Sequence, residues 1–209
     1  MPVAVQFVVT EHPRAVTTAR REHYERIRLR LERISGHAVR TLSYPDVASL
    51  EGATAVVLSG SFAPWAVHDR AALTRLGEVV RTYTGPVLGI CAGVQLLATF
   101  AGGSVGKAAA TIESGFFPVE VVDDSDLLGG LGRDVTVYHH HSDEITSLPE
   151  DFRVLASTPW CRVEAIADRS RQWWGTQFHP EEFTTAHPDG EGVLRNFFRL
   201  ADLPTPADG

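Results

Sequence analysis

Cysteine and lysine are scarce in this sequence, and long apolar runs are absent. Two cysteines, Cys91 and Cys161, are too few for a disulfide scaffold or a cysteine-rich zinc module. Since no run of about 18 apolar residues exists, we expect no membrane span. The N-terminus has neither the basic region nor the cleavage site of a secretory signal, and a net charge of -7 argues against nonspecific nucleic-acid binding. We therefore expect a cytoplasmic protein without a membrane or nucleic-acid partner.

The rest of the composition is that of an ordinary globular domain. The chain has 209 residues, of which 44% are hydrophobic and 22% charged, and this length suits one domain with a large core. Lys107 is the single lysine among 19 basic residues, and the arginines are spread along the chain. We interpret the excess of arginine as coding bias, because a phosphate site would cluster these residues. Residues 1–203 are expected to form the domain, and 204–209 a disordered tail.

Apolar runs alternate with helical patterns in the first half of the sequence. This order predicts right-handed crossovers and a mostly parallel sheet flanked by helices. After Gly103, strand-like segments follow one another with few helices between them, which predicts a smaller antiparallel addition. The expected fold class is a single-domain α/β protein. The predicted strands are 3–9, 38–43, 55–58, 86–90, 116–122, 135–139, 152–157, 163–167 and 173–178, and the predicted helices are 13–34, 69–83, 92–100 and 190–200.

The stretch around Cys91 is the most informative part of the sequence. An apolar strand ends at Ile90, one residue forms a sharp turn and a helix begins at once, with small residues at Gly89, Ala92 and Gly93. This is the nucleophile-elbow pattern, with cysteine at the apex where hydrolases carry serine. Partial positive charge at the helix N-terminus favours the thiolate of such a cysteine. The pattern predicts a catalytic nucleophile, and the alternative is a buried structural cysteine.

A nucleophile of this kind needs a base and a group that orients the base. Near the C-terminus, His179 is followed by Pro180 and Glu181. In an extended segment the side chains at i and i+2 point the same way, so Glu181 can bind one ring nitrogen of His179 and leave the other facing Cys91. The three side chains together predict a Cys-His-Glu triad.

In this order the motifs resemble those of the class I (triad) glutamine amidotransferases. The resemblance covers nearly the whole chain, from Val3 to about Leu200. Its markers are the Ser59-Gly60 turn after a strand, the elbow over 89–95 and the His-Pro-Glu element over 179–181. Among subfamilies, the sequence looks most similar to the glutaminase domain or subunit of GMP synthetases, through segments 113–118, 141–145, 148–152 and 175–181.

The resemblance implies a mechanism without a cofactor. Cys91 attacks the side-chain amide of glutamine, which gives a γ-glutamyl thioester and releases ammonia, while His179 transfers the protons and Glu181 holds the imidazole. Backbone N–H groups are implied as the oxyanion hole, from Ala92 and from the turn Gly60-Ser61. Contacts to glutamine are implied for the first turn of the elbow helix and for a strand whose backbone holds the amino-acid end; these residues are Gln95, Tyr138, His139 and His140.

The sequence departs from the family in the oxyanion turn. Many members carry Gly-Gly-Pro or Asn-Gly-Pro there, whereas this chain has Gly60-Ser61-Phe62. Some γ-glutamyl hydrolases that act alone have a similar Gly-Ser turn, so a stand-alone hydrolase of γ-glutamyl amides or peptides is the alternative function. No nucleotide-binding loop is found, so an amidotransferase of this length is expected to supply ammonia to a synthase on a separate subunit. The third hypothesis is a catalytically silent binding protein, and the intact triad argues against it.

Histidines on one strand raise the question of a metal ion. His139 and His141 share a face of the predicted strand and could chelate, with Asp143 close in sequence. No third ligand at suitable spacing is evident, so we predict no metal site. Cys161, beside Trp160, is expected to be structural.

Overall fold

The structure, a computed structural model, describes residues 5–110 and 113–203. In this part of the chain, strands and helices alternate up to Phe100, as predicted, and strands dominate the second half. The strands are β1 Val5–Val9, β2 Val39–Ser43, β3 Ala55–Leu58, β4 Val87–Ile90, β5 Ser104–Lys107, β6 Gly115–Val121, β7 Asp134–His139, β8 Asp143–Ser147, β9 Arg153–Ser157, β10 Ala165–Asp168 and β11 Trp173–Thr176. The helices are α1 Thr18–Ser35, α2 Arg70–Thr82, α3 Ala92–Phe100 and α4 Asp189–Leu200.

Nine of the described strands form one sheet, in the order β2-β1-β3-β4-β11-β10-β9-β6-β7. The strands from β2 to β11 in this order are parallel. The remaining neighbours pair antiparallel, and β5 and β8 form a separate two-stranded antiparallel sheet. The predicted α/β class, with a parallel centre and an antiparallel addition, is confirmed.

The last strand, β11, returns to the centre of the sheet and lies beside β4. The two strands are parallel, with Trp174 opposite Leu88 and Thr176 opposite Ile90. Because the carboxyl ends of parallel strands meet at one edge, where open α/β sheets bind their ligands, the residues after β4 and after β11 become neighbours. This pairing brings two segments together that are 86 residues apart in the sequence.

Both faces of the sheet are covered by apolar side chains. On one face, residues of α1 and α4 share one core with residues of the sheet, and Phe7, Leu31 and Phe197 are fully buried there. On the other face, Leu76 of α2 and Leu97 of α3 are fully buried. Each buried side chain of this size stabilises the fold by about 1.5–3 kcal/mol. The sheet is therefore a rigid base for the loops at its carboxyl edge.

The first helix begins later than predicted. Residues Pro13–Ala15 form a short 3-10 turn, and α1 begins only after Thr17, whose hydroxyl accepts the N–H of Arg20 as an N-cap. At its other end Gly36 has a φ of 70°, the left-handed conformation that ends helices. The predicted stop at Gly36 is confirmed. The predicted start at Pro13 is wrong, because Pro13 begins only the 3-10 turn and the N-cap of the helix is Thr17.

Some strands also differ from their predicted bounds. The strand predicted over 173–178 stops at Thr176, because its partner β4 ends at Ile90. The strand predicted over 163–167 begins at Ala165. β5 and β8 were not predicted, since they pair with each other and present polar residues such as Glu144. The predicted tail, 204–209, lies outside the described residues.

A search of the described helices for a membrane span finds none that is long and apolar enough.

Candidate active site

Cys91 lies at a sharp turn between β4 and α3. Its backbone has φ 50° and ψ -107°, a conformation that residues with a side chain rarely adopt. The neighbouring glycines leave room for the turn, because a Cβ on Gly89 would lie 2.5 Å from the backbone of Gly93, and one on Gly93 would lie 2.4 Å from the carbonyl oxygen of Leu58. The elbow predicted from the sequence is present, with the thiol at the N-terminus of α3.

His179 follows β11 and lies beside Cys91, with Glu181 behind it. Its Nδ1 is 2.8 Å from Oε1 of Glu181, and its Nε2 is 3.3 Å from the carbonyl oxygen of His140. Burial alone lowers the pKa of His179, but the charges of Glu181 and of the Cys91 thiolate outweigh burial and raise this pKa well above its usual value. The imidazole can therefore stay protonated near neutral pH beside the sulfur. The structure thus brings together Cys91, His179 and Glu181, the three residues predicted to form a triad.

A glutamine that was not predicted also contacts the sulfur. Gln177 is fully buried, and its Nε2 donates to Sγ of Cys91 at 3.7 Å. The same side chain accepts from Nε2 of Gln95 at 3.0 Å. The carbonyl oxygen of His140 is 3.8 Å from Sγ. Gln177 could have been suspected from the sequence, because it lies two residues before His179 on the same extended segment.

Gln95, which the resemblance implies as a glutamine contact, lies on the wall of the cavity at Cys91. Its amide is already engaged, since Oε1 accepts from the indole of Trp65 at 2.9 Å and Nε2 donates to the carbonyl of Asp143 at 2.7 Å. In this arrangement Gln95 shapes the cavity wall and connects α3 to the segment after β7.

The turn after β3 faces the catalytic pair. A Cβ on Gly60 would lie 2.9 Å from Cε1 of His179 and 3.5 Å from Cβ of Cys91, so only glycine fits there. The Gly60 carbonyl accepts from the hydroxyls of Tyr24 and Thr10, both at 3.2 Å. Because the peptide bond is trans, the N–H of Ser61 points away from those hydroxyls.

Glu11, at the end of β1, holds the same turn and was not predicted. The side chain is fully buried, and its carboxylate accepts from the N–H of Phe62 at 2.9 Å, the N–H of Ala63 at 3.1 Å and the hydroxyl of Ser61 at 3.1 Å. Its position two residues after an apolar strand was the available signal, since the carboxyl ends of parallel strands gather at the site. The turn is thereby fixed by three hydrogen bonds to one buried side chain.

Two adjoining cavities open at this edge of the sheet. One, of about 340 Å³, is lined by Cys91, Ala92, Gln95 and His140. The other, of about 450 Å³, is lined by His179, Glu181, Tyr138 and Phe116. Ala92 is the first residue of α3, so its N–H has no acceptor inside the helix and is available beside the sulfur. A small amino acid fits the first cavity.

The segment at the end of β7 divides between two faces of the strand. Tyr138 and His140 line the cavities, as the resemblance implies. The side chain of His139 does not, because neighbouring residues of a strand point to opposite faces, and it is fully buried on the far side. The contact with glutamine implied for this strand is one of the backbone, and for His139 it stays a prediction.

His139 instead meets His141 and Glu164 in a buried cluster. Glu164 precedes β10 and is fully buried, and its Oε1 accepts from the hydroxyl of Thr158 at 3.0 Å. Burial lowers the pKa of His139 to about 3 and raises the pKa of Glu164 to about 8.

Cys161 is also buried, which raises the pKa of its thiol and fits the structural role predicted for it.

Comparison with known proteins identifies the family and the fold. Residues 12–201 match the family described as Glutamine amidotransferase class-I. The chain is 38% identical over 155 residues to a glutamine-hydrolysing GMP synthase subunit of Thermoplasma acidophilum, a match that covers 74% of this chain and 76% of that protein. It is 42% identical over 123 residues to the protein of the same name from Pyrococcus furiosus, covering 59% of this chain and 64% of the relative.

Solved structures of similar proteins have the same fold. A crystal structure of a candidate GMP synthase subunit from Thermoplasma acidophilum superposes with a TM-score of 0.77 at 31% identity, covering 95% of this chain and 94% of that chain. A glutamine amidotransferase from Thermotoga maritima has a TM-score of 0.70 at 18% identity, covering 97% of this chain and 99% of its own, which shows the shared fold. The chain therefore belongs to the class I glutamine amidotransferase family.

Proposed function

We propose that this chain is the glutaminase subunit of a two-chain amidotransferase, which hydrolyses glutamine at Cys91 and passes ammonia to a separate GMP-forming synthase subunit. The observation that carries the proposal is the elbow thiol of Cys91 beside the His179 imidazole, which Glu181 holds at 2.8 Å. The names of the relatives, each a subunit of a glutamine-hydrolysing GMP synthase, support this division between two chains. A cytoplasmic location, where thiols stay reduced, suits a free nucleophilic cysteine.

The first half of the reaction forms the thioester. The thiolate of Cys91 attacks the side-chain carbonyl carbon of glutamine, and the electron pair of the C=O bond moves to oxygen. The N–H groups of Ala92 and Ser61 stabilise this oxyanion. When the tetrahedral intermediate collapses, the C–N bond breaks and Nε2 of His179 gives its proton to the leaving nitrogen, so ammonia departs.

The second half regenerates the enzyme. Neutral His179 takes a proton from a water molecule, whose oxygen attacks the thioester carbon. Collapse of this intermediate breaks the C–S bond and restores the thiolate beside a protonated His179. The product leaves as the carboxylic acid, which loses its proton to solvent and becomes glutamate. Glu181 keeps the ring in one orientation and stabilises its charge in both halves. Gln177, donating to Sγ, stabilises the thiolate before attack and after release.

The substrate range separates this function from that of a stand-alone γ-glutamyl hydrolase. Purified protein is incubated with glutamine and with N-alkylated γ-glutamyl amides, and glutamate, ammonia and free amine are measured with and without the synthase subunit of the same source. We expect low turnover of glutamine alone, stimulation by the synthase subunit, poor turnover of substituted amides and no activity in Cys91→Ser. Full activity without the synthase, with substituted amides accepted, would instead identify a hydrolase. No turnover of any amide by the native chain would exclude both functions.

A further inference from the structure

A second group of chemically active side chains lies behind the catalytic segment, outside the machinery described above. His139 and His141 come from the end of β7, and Glu164 comes from the residue before β10. One possible ligand atom from each of the three lies within 4.8 Å of the others. His139 and Glu164 are fully buried. The three residues are called the His-His-Glu cluster below.

Polar atoms of this cluster lack hydrogen-bond partners among the described residues. They are Nδ1 and Nε2 of His139, Nε2 of His141 and Oε2 of Glu164. One unpaired buried polar atom is costly, and such atoms are few in folded proteins. Unpaired atoms from three side chains in one small space are what a bound cation would satisfy, since a neutral imidazole and a carboxylate each offer a lone pair.

Neighbouring side chains surround the His139 ring and orient Glu164. The centre of the His139 ring lies 6.0 Å from that of Phe117, 6.1 Å from that of Phe178 and 6.4 Å from that of Trp160. Thr158 holds one oxygen of Glu164 at 3.0 Å and thereby orients the other. Metal ligands in proteins are oriented by such outer contacts.

We infer that the His-His-Glu cluster binds a divalent transition-metal ion, with Zn²⁺ as the best match. Two imidazole nitrogens and one carboxylate oxygen are a common zinc ligand set, whereas Mg²⁺ and Ca²⁺ prefer oxygen alone. The possible ligand atoms of the three residues lie within 4.8 Å of one another. Bonds of about 2.0–2.2 Å to a tetrahedral ion hold ligand atoms roughly 3.5 Å apart, so small side-chain rotations are enough.

A metal ion here would tie the end of β7 to the start of β10. The residue between the two histidine ligands is His140, whose carbonyl oxygen lies 3.3 Å from Nε2 of His179 and 3.8 Å from Sγ of Cys91. The ion would therefore have a positioning role, because it fixes the backbone that faces the catalytic pair. The inference does not depend on the reaction that Cys91 performs.

Metal binding is tested directly with Co²⁺ and Zn²⁺. The native chain is dialysed against a chelator, titrated with Co²⁺ while the visible absorption is recorded, and then titrated with Zn²⁺ as competitor. We expect one Co²⁺ per chain, with the absorption of a four-coordinate site, and displacement by Zn²⁺. Glu164→Gln, which keeps the shape and the bond to Thr158, should weaken binding at least tenfold. His37→Gln should bind like the native chain, because His37 precedes β2 at the opposite edge of the sheet.

The catalytic pair must be separated from the cluster, because Cys91 and His179 could themselves hold zinc. Cys91→Ser is therefore titrated in parallel and should keep the site. Binding lost in Cys91→Ser but kept in Glu164→Gln would overturn the inference, and so would a folded native chain that binds neither ion. If circular dichroism shows Glu164→Gln to be unfolded, His141→Gln, which alters a half-buried ligand, takes its place with the same expected loss.

Discussion

At the scale of single residues, the backbone of Cys91 combines function with strain. Its φ of 50° and ψ of -107° are accessible to glycine but cost other residues about 1–3 kcal/mol. Glycine ordinarily destabilises a folded chain by about 0.5–1 kcal/mol relative to alanine, through the entropy of the unfolded state. At this position the relief of strain should outweigh that entropy.

We therefore expect Cys91→Gly to be more stable than Cys91→Ala by about 1 kcal/mol, although both variants lose activity. Urea unfolding followed by circular dichroism measures the difference. Cys161 provides the matched control, because it is also buried but has no positive φ, so Cys161→Ala should be more stable than Cys161→Gly. The same order at both positions would show that the elbow holds no strain.

The charge of Glu181 should set the pH range of the enzyme. Because the folded-state pKa of His179 is raised, the protonated imidazole persists above its usual pKa of about 6.5, and the stability it contributes is lost only as the pH rises through the raised value. In Glu181→Gln the imidazole should lose its proton at lower pH. The alkaline limb of kcat/KM should then move to lower pH, with a loss of at least about tenfold above neutral pH.

The control for this pH shift is Glu182→Gln. Glu182 is the next residue, is half-buried and contacts Arg30 and His23 instead of the His179 ring. Its charge acts on His179 only from further away, so its variant should move the alkaline limb of kcat/KM less than Glu181→Gln does. An unchanged alkaline limb in Glu181→Gln would contradict the assignment of Glu181 as the group that charges His179.

The parts of the site that could be predicted are those in which neighbouring residues of the sequence form the pattern. Cys91 was found because strand, turn and helix follow one another directly, and Glu181 because it stands two residues after His179. Gln177 and Glu11 were missed, since their contacts with Cys91 and with the turn at Phe62 join residues 86 and 51 positions apart. Glu164 was missed as a partner of His139 for the same reason. Contacts made only by folding leave at most a positional signal in a single sequence, such as the place of Gln177 two residues before His179.

At the scale of elements, Glu11 connects the end of β1 to the turn after β3. One carboxylate accepts two backbone N–H groups, from Phe62 and Ala63, and Arg20 lies 3.6 Å away. In Glu11→Gln an amide N–H₂ would face one of those donors. We expect a loss of about 1–3 kcal/mol of unfolding free energy and a lower kcat, because the N–H of Ser61 moves away from the developing oxyanion.

Stability from urea unfolding and steady-state kinetics with glutamine test the role of Glu11. The control is Glu25→Gln on α1, where the carboxylate pairs with Arg28 on the surface and is worth under about 1 kcal/mol. A Glu11→Gln variant with native kcat would mean that the turn does not hold the oxyanion.

The elements themselves were predictable wherever burial gives a clear pattern. β1, β3 and β4 are buried along their whole length and read as continuous apolar runs in the sequence. β5 and β8 are polar and partly exposed, and they are strands only because they pair with each other. The place of β11 beside β4 also could not be derived from its sequence, because strand order is decided by packing across the sheet.

At the scale of the whole molecule, the site depends on one continuous sheet. The parallel half supplies Cys91 after β4, and β11 supplies His179, while the antiparallel half is hydrogen-bonded to β11 through β10. A sheet without a break should unfold as one cooperative unit. The two cysteines report on its two halves, since Cys91 lies in the parallel half and Cys161 near the start of β10.

We therefore expect a single urea midpoint for loss of glutaminase activity, loss of circular dichroism and exposure of Cys161 to a thiol reagent. Cys161 labelling is followed in Cys91→Ser, so that only one thiol reacts, and the circular dichroism of that variant gives its own midpoint. Because Cys161 is 2% exposed, it should react only when its half of the sheet opens. Labelling at lower urea than the loss of circular dichroism would mean that the antiparallel half unfolds first. In that case β7, which positions the carbonyl of His140 beside Cys91 and His179, would be less stable than the strand and helix that hold Cys91.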